Sequence, residues 1–221
     1  MTPLQWDQVG ERVYETGVDH GVLYTLDESG TYATGVAWNG LTTVTEKPAG
    51  AAASAQYADN IKYLNLIAAE TFEVEIDAFT YPEEFAVMDG TIAPHPGVTV
   101  GQQSRKVFGL SYRTLVGNDT EGTDHGYRLH LVYGCQAAPS DRAYATVNDN
   151  PAAIAFKWTV STTPAPVVGH NELKPTSLIV VDSTVVASAD LTALEDELYG
   201  GASGTAHLPL PGEVVDMFTG A

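Results

Sequence analysis

The alternation of apolar and polar side chains is the strongest structural signal along this chain. In residues 71–80, TFEVEIDAFT, apolar side chains alternate almost perfectly with acidic ones. A period of two residues places alternate side chains on opposite faces of a β-strand. We therefore expect a strand with one buried face and one acidic face, and the acidic row consists of Glu73, Glu75 and Asp77.

Similar runs recur along the chain, separated by turn-forming residues. The clearest strand pair is 61–68 with 71–80, and Asn39-Gly40 between two β-prone runs predicts a tight hairpin. The predicted strands are 21–27, 32–38, 41–46, 61–68, 71–80, 105–116, 127–133, 143–147, 153–161 and 176–182.

Helical signals are few. Residues 189–201 predict the main helix, with three leucines on one face and Gly200-Gly201 as its end. A minor helix is expected at 81–90, where a proline and two glutamates suit the first turn. A last amphipathic piece, 211–218, is expected to dock at the end.

Three segments lack a clear period. Residues 1–20 are predicted to form an extended N-terminal arm, 47–56 a loop of small residues, and 91–104 a long connection rich in proline, glycine and glutamine. Long loops in compact domains are usually functional.

No repeat and no change in composition marks a second domain. The 221 residues are 44% hydrophobic, enough for a real core. We predict a mainly β fold: a single-domain β-sandwich or barrel over 21–221, with one main α-helix and long inter-strand loops.

The net charge limits the classes of function that fit this chain. Ten Lys and Arg face 28 Asp and Glu, for a net charge of −18. A tight DNA binder makes roughly 6–10 phosphate contacts, so we expect DNA to be repelled rather than gripped. Solubility and salt adaptation are alternative explanations of the same acidity.

The first residues have no basic segment followed by an apolar one, so no signal peptide is expected. No apolar run approaches the ~18 residues of a membrane span. Cys135, the single cysteine, rules out an internal disulfide. We expect it to be a small buried hydrophobe rather than a nucleophile.

The segment 118–134, NDTEGTDHGYRLHLVYG, concentrates potential metal ligands, but its spacing does not fit a calcium loop or a shared metal. His125 and His130 are five residues apart and lie on opposite faces of a strand. A loose calcium site stays open as an alternative. We predict an acidic hairpin tip formed by Asp119, Glu121 and Asp124, with positive φ angles at Gly117, Gly122 and Gly126.

Motifs for nucleophilic catalysis, nucleotide binding and zinc hydrolysis are absent from the sequence. Glu73 with Glu75 and Glu83 with Glu84 are the carboxylate pairs that a glycosidase would need. On one strand face such pairs usually form a solvated row. We expect no catalytic residues, no cofactor and no metal.

Several stretches, in the same order over about residues 14–199, resemble the major tail proteins that build the tail tube of long-tailed, non-contractile bacteriophages. They are YETGVDHGVLY (14–24), GVAWNGLTTVTE (35–46), YADNIKYLNL (57–66), FTYPEEFAVMDG (79–90), GQQSRKVFGLSYRTLVGNDTEGTDHGYRLHLVYG (101–134), AFKWTVSTTP (155–164) and KPTSLIVVDST (174–184).

The resemblance implies a structural virion protein, made in the host cytoplasm, whose copies form hexameric rings stacked into a hollow tube. The implied partners are further copies, the tape-measure protein, and the tail terminator and tip proteins. DNA would pass through the bore without specific binding, past an acidic wall.

Under this hypothesis, the row Glu73, Glu75 and Asp77 is a candidate for a face toward solvent or the bore. The segments 1–20, 47–56 and 91–104 are candidates for contacts between subunits or rings, as are Arg105 and Lys106. The alternatives are a non-catalytic β-sandwich binding module, for example for carbohydrate, and less favoured, a glycosidase.

Overall fold

A computed structural model describes residues 3–50, 52–147, 153–201 and 204–219. Strands make up 48% and helices 11% of the structure, which confirms the predicted mainly β, single-domain fold. The strands are β1 (Tyr14–Leu26), β2 (Tyr32–Trp38), β3 (Leu41–Gly50), β4 (Ala53–Ala58), β5 (Ile61–Ile67), β6 (Glu70–Ala78), β7 (Ile92–His95), β8 (Val98–Val100), β9 (Phe108–Asn118), β10 (Gly122–Ala137), β11 (Phe156–Thr162) and β12 (Leu178–Asp182).

Eight strands of the described residues form one sheet in the order β2-β1-β9-β10-β11-β6-β3, with β12 also paired to β10. All pairings are antiparallel. The long strand β10 forks the sheet, because its middle residues pair with β12 and its last residues pair with β11. Two further hairpins, β4-β5 and β7-β8, pair only with themselves.

The predicted Asn39-Gly40 hairpin is wrong in its pairing. A turn does occur there, and Gly40 has φ of +80°. However, β2 pairs with β1 whereas β3 pairs with β6, at opposite ends of the strand order. The turn is therefore a corner at which the two ends of the sheet approach each other. Gly21 permits this approach, since an added Cβ there would overlap the side chain of Leu41.

A bulge in β10 lets one strand serve two cores. Between Val132 and Cys135 the strand uses three residues where β9 uses two, and Gly134 in between has φ of +62°. The extra residue reverses which face each later side chain occupies. Tyr133 consequently belongs to one core and Cys135 to the other.

The first core lies between the two halves of the sheet and is rich in aromatic rings. The Trp38 and Trp158 rings are 5.7 Å apart at their centroids, and Phe85 packs 4.6 Å from Trp38. Both tryptophans are buried. Cys135 is also fully buried, as predicted, and burial raises the pKa of its thiol.

The second core lies between the outer face of the central strands and the helices α2 (Ser188–Tyr199) and α3 (Pro211–Met217). The Tyr24 hydroxyl donates to the carbonyl of Leu198 at 2.8 Å and so ties α2 to β1. The apolar residues that meet here include Leu129, Leu131, Tyr133, Leu191, Leu194, Leu198 and Val214.

The main helix is confirmed, with its three leucines buried and Gly200 at its end in a left-handed conformation. Its N-terminal cap is Ala187, so Asp190 lies in the first turn. At the start of α3, the backbone N–H of Leu210 donates to Glu213 Oε2 at 2.7 Å. The minor helix α1 (Phe85–Met88) is shorter than the predicted 81–90.

Two predictions about the middle of the chain are wrong. The runs 61–68 and 71–80 do not pair, because β5 pairs with β4 and β6 pairs with β3 and β11. The predicted loop 47–56 belongs mostly to β3 and β4, and its residue 51 lies outside the described residues. Short side chains such as alanine are poor strand signals, and here distant partners decide the conformation.

Smaller differences complete the comparison. The predicted strand 143–147 has no strand structure, and the connection 91–104 contains the hairpin β7-β8. The predicted N-terminal arm covers residues 1–20, of which residues 1–2 lie outside the described part. From Tyr14 onward it forms strand β1.

Candidate functional site

The hairpin β4-β5 is exposed along almost its whole length, and we call residues 53–67 the arm. Its strands have six and seven residues, so it extends roughly 20 Å at about 3.3 Å per residue. The turn is formed by Asp59 and Asn60, whose φ angles of +51° and +63° are both left-handed. Such a turn matches the twist of two antiparallel strands.

The arm exposes large apolar side chains on both faces. Because alternate residues of a strand point to opposite faces, Tyr63 and Ile67 lie on one face of β5, and Leu64 and Leu66 lie on the other. Six large apolar side chains of the arm are between 40% and 73% exposed: Tyr57, Ile61, Tyr63, Leu64, Leu66 and Ile67.

This exposed apolar area is large for a free protein. We estimate roughly 600 Å² for the six side chains, divided between the two faces of the arm, whereas the largest single patch on a typical monomer is about 300–600 Å². A standard protein–protein interface buries about 800 Å² per partner. The arm therefore has the size and composition of one side of an interface.

The arm is also electrically neutral. Asp59 and Lys62 are its charged residues, so its formal charge is zero, whereas the whole chain carries −18. Two copies of such an acidic protein repel each other over most of their surface. The arm can approach such a copy without that repulsion.

The acidic hairpin tip between β9 and β10 contacts the N-terminal segment. Asp119 Oδ1 accepts a hydrogen bond from the backbone N–H of Gly10 at 2.9 Å, and Arg12 lies 3.6 Å from its second oxygen. His125 Nδ1 lies 2.8 Å from Glu121 Oε2. Two of the three predicted carboxylates therefore have protein partners, and Asp124 is exposed.

The glycines of this tip have different roles. Gly122 has φ of +62°, as predicted, but the prediction of positive φ is wrong for Gly117 and Gly126. These two are needed for space, because an added Cβ would overlap Tyr14 at Gly117 and Thr184 at Gly126. The turn itself is held by Asn118, whose side-chain oxygen accepts from the backbone N–H groups of Thr120 and Glu121.

The row Glu73, Glu75 and Asp77 lies on the face of β6 opposite the buried Val74 and Ile76. Lysines from both neighbouring strands form ion pairs with this row. Lys157 of β11 lies 2.6 Å from Glu75 and 3.8 Å from Asp77, and Lys47 of β3 also pairs with Glu75.

These lysines change the charge of the row. Their hydrogen bonds, that of Lys157 first, hold the pKa of Glu75 below its usual value. Three carboxylates and two ammonium groups give the patch a net charge of −1 rather than −3. Glu73 is its exposed, unpaired member among the described residues. Glu75 therefore lacks the raised pKa that suits a general acid.

The predicted contact residues Arg105 and Lys106 differ in their surroundings. Arg105 Nη2 donates to the carbonyl oxygen of Asp89 at 2.9 Å, just after α1. Within the described ranges, its Nε is buried without a partner. Lys106 is exposed and makes no ion pair there. Arg105 thus has a structural role within the chain, and contacts of Arg105 and Lys106 with a neighbouring copy stay a prediction.

Sequence patterns missed the arm, although one signal was present. Asp59-Asn60 joins two residue types that tolerate left-handed conformations, and it separates two runs that can form strands. His130 of β10 lies beside Glu15 of β1, Glu46 of β3 and Thr114 of β9. This cluster had no local sequence signal, because its members come from different strands.

None of the helices in the described ranges is long and apolar enough to cross a membrane. No protein-family model matches the chain, and a search of curated proteins found no match.

Proposed function

We propose that this chain is a structural subunit whose copies form stacked rings and build the hollow tail tube of a bacteriophage. The hexameric ring and the passage of DNA follow from the sequence resemblance. The observation that carries the proposal is the arm, which is apolar on both faces and neutral on an acidic molecule.

The exposure of both faces favours self-assembly over a ligand-binding module. A carbohydrate-binding platform needs aromatic rings on one accessible face, but Trp38 and Trp158 are buried. Tyr63 and Leu66 of the arm lie on opposite faces, so one flat ligand cannot cover both. Packing among several copies of the chain would cover both faces.

The unpaired edges of the arm also favour self-assembly. Each strand of β4-β5 pairs on one side only, so each has an edge of unpaired backbone groups. Such an edge can extend a sheet of a neighbouring copy. The exposed Leu4, Trp6 and Val9 of the N-terminal segment and the hairpin β7-β8 are further candidate contacts between copies.

The acidic row belongs to the bore in this proposal. Its local charge of −1 is modest, so most of the repulsion of DNA would come from the summed charge of all copies. If the triple variant Glu73→Lys/Glu75→Lys/Asp77→Lys leaves both assembly and DNA ejection unchanged, the row does not line the bore.

The test compares wild type with the double variant Tyr63→Asp/Leu66→Asp, which places one charge on each face of the arm. We expect wild type to form rings or tubes in negative-stain micrographs, and the variant to remain monomeric with an unchanged urea midpoint. A matched control, Val168→Asp/Val185→Asp, adds the same two charges at exposed apolar positions outside the arm.

The control variant should assemble like wild type. Discrete wild-type monomers over the full accessible concentration range contradict the proposal and favour a binding module. Tubes formed by the arm variant contradict the role of the arm.

A further inference from the structure

A cavity of about 400 Å³ opens beside the base of the arm, between β3, which leads into the arm, and the start of β12. We call it the proline cavity. An apolar cavity of about 150 Å³ holds a benzene ring, so the proline cavity has room for an aromatic ring together with an aliphatic chain. The residues that line it include Glu46, Pro48, Glu70, Phe72, Pro164 and Pro175.

The walls of the proline cavity suit inserted side chains rather than an added strand. Three of the lining residues are prolines, and proline has no backbone N–H that could donate to a neighbouring strand. The proline rings and Phe72 instead provide apolar surface. The occupant that fits such walls is an apolar or amphipathic side chain.

The two carboxylates of the cavity differ in their partners. Glu46 already accepts from the Tyr112 hydroxyl at 2.6 Å and lies 2.8 Å from Nδ1 of His130. Glu70 is exposed and has no ion pair in the part of the chain that the structure describes. An unpaired carboxylate beside apolar walls suits a lysine, whose aliphatic stem packs on apolar surface while its ammonium group stays at the polar rim.

The tip of the arm carries the complementary groups. Tyr57 and Lys62 are paired directly across the hairpin, so their side chains project from the same face. Tyr57 is 73% exposed. Lys62 is exposed too, and it makes no ion pair within the described ranges. The tip thus presents a phenol ring and an ammonium group side by side.

The tip of an arm does not reach the proline cavity of its own chain. Lys62 lies roughly 16 Å along β5 from Ile67 at the base of the arm, at about 3.3 Å per residue. An arm folded back over its own cavity would be partly buried, but all residues of β5 and all except one of β4 are exposed. The occupant that fits is therefore the arm tip of another copy.

We propose that the arm tip of one copy docks in the proline cavity of the next copy, with Tyr57 against the prolines and the ammonium group of Lys62 beside Glu70. This inference rests on the proposed function and names the surface that receives the arm. Tip and cavity are different surfaces, so the contact is heterologous, and a docked pair keeps one free tip and one free cavity. Repetition of such a contact closes a ring or extends a filament.

The first experiment cross-links introduced cysteines. Cys135, the single native cysteine, is fully buried, so a thiol reagent acts on the introduced ones. Lys62→Cys is mixed with an affinity-tagged Glu70→Cys protein and treated with a short bis-maleimide. We expect covalent dimers that contain one copy of each variant. In the control, Glu28→Cys replaces an exposed glutamate in the turn between β1 and β2, and the yield of mixed dimers should be several-fold lower.

The second experiment exchanges the two charges. Lys62→Glu and Glu70→Lys each place like charges against each other in the contact, so each variant should need roughly ten-fold more protein to assemble. The exchange variant Lys62→Glu/Glu70→Lys has the net charge of wild type and should recover most of this loss. Lys106→Glu/Glu70→Lys has the same net charge but leaves two lysines facing each other, so it should not recover.

The outcomes separate the docking from the proposed function. If wild type forms rings or tubes while the cross-link between positions 62 and 70 stays at the control level, the docking is wrong and the tube proposal stands. An exchange variant that assembles no better than the single variants also overturns the docking. If wild type does not assemble at any concentration, the proposed function fails, and the docking fails with it. Assembly that stops at a dimer contradicts the repeated contact.

Discussion

The arm β4-β5 and the hairpin β9-β10 are both antiparallel pairs of β-prone residues, but they have opposite environments. The central part of β9-β10 is buried on both faces, by the other half of the sheet and by α2 and α3. Every strand residue of β5 is exposed. Both hairpins have apolar side chains that would be stabilised by burial. The rest of the chain buries those of β9-β10 and leaves those of β4-β5 exposed.

An isolated two-stranded hairpin is marginally stable in water. Under the proposed function a neighbouring copy would stabilise the arm, whereas β9-β10 is stabilised by packing within the chain. Substitutions that separate folding from assembly test this distinction, and we order them by expected effect.

The largest difference is expected between two leucines. Leu131 of β10 is fully buried, whereas Leu66 of the arm is 57% exposed. Leu131→Ala should lower the free energy of unfolding by about 2–5 kcal/mol. Leu66→Ala should change it by less than about 0.5 kcal/mol. Urea denaturation measures both, and equal effects would show that the arm packs on its own chain.

The bulge of β10 is the next target. Gly134→Ala forces a left-handed residue and places a Cβ against the carbonyl of Thr163. We expect a loss of about 3 kcal/mol in the free energy of unfolding. Gly97, between β7 and β8, has φ of +79° with no atom near its missing Cβ.

Gly97→Ala is therefore the matched control for backbone conformation alone, with an expected cost of about 1 kcal/mol. The difference in the free energy of unfolding between the two alanine variants measures the cost of the steric overlap at the bulge. A Gly134→Ala protein as stable as its control would mean that β10 can keep both cores without this close contact.

The smallest effect is electrostatic. Arg113 of β9 donates to both carboxylate oxygens of Asp19 at 2.7 Å, and these bonds hold the pKa of Asp19 below its usual value. The ion pair therefore contributes to the free energy of unfolding above the ordinary pKa of an aspartate, and this contribution is lost as pH falls. Asp19→Asn should remove part of the acid sensitivity at a cost of about 0–1 kcal/mol near neutral pH.

Urea midpoints measured between about pH 3 and pH 7 check this expectation. A loss in Asp19→Asn as large as that in Leu131→Ala would show that charge, rather than packing, holds the buried hairpin together.

Local patterns predicted several features correctly. The alternation in β6 identified a strand with Val74 and Ile76 inside and its carboxylates outside. The leucine spacing and Gly200 located α2. These successes share a cause, since period, caps and turns depend on residues that are close in the chain.

The errors also share a cause. Asn39-Gly40 was correctly placed in a turn, but the turn joins strands from opposite ends of the sheet. The small residues of β3 and β4 gave no strand signal, and the partners of β5 and β6 were misassigned. Pairing depends on strands that are distant in sequence, and a local window does not contain them.

Composition and short-range pattern were thus enough for the β class, the main helix, the acidic face of β6 and the acidity of the whole molecule. Only the three-dimensional arrangement showed which hairpin has no cover, how Lys47 and Lys157 reduce the charge of the acidic row, and how His130 lies between Glu46 and Glu15. Side-chain period is a property of neighbouring residues, whereas exposure and ion pairing depend on residues from several strands that folding brings together.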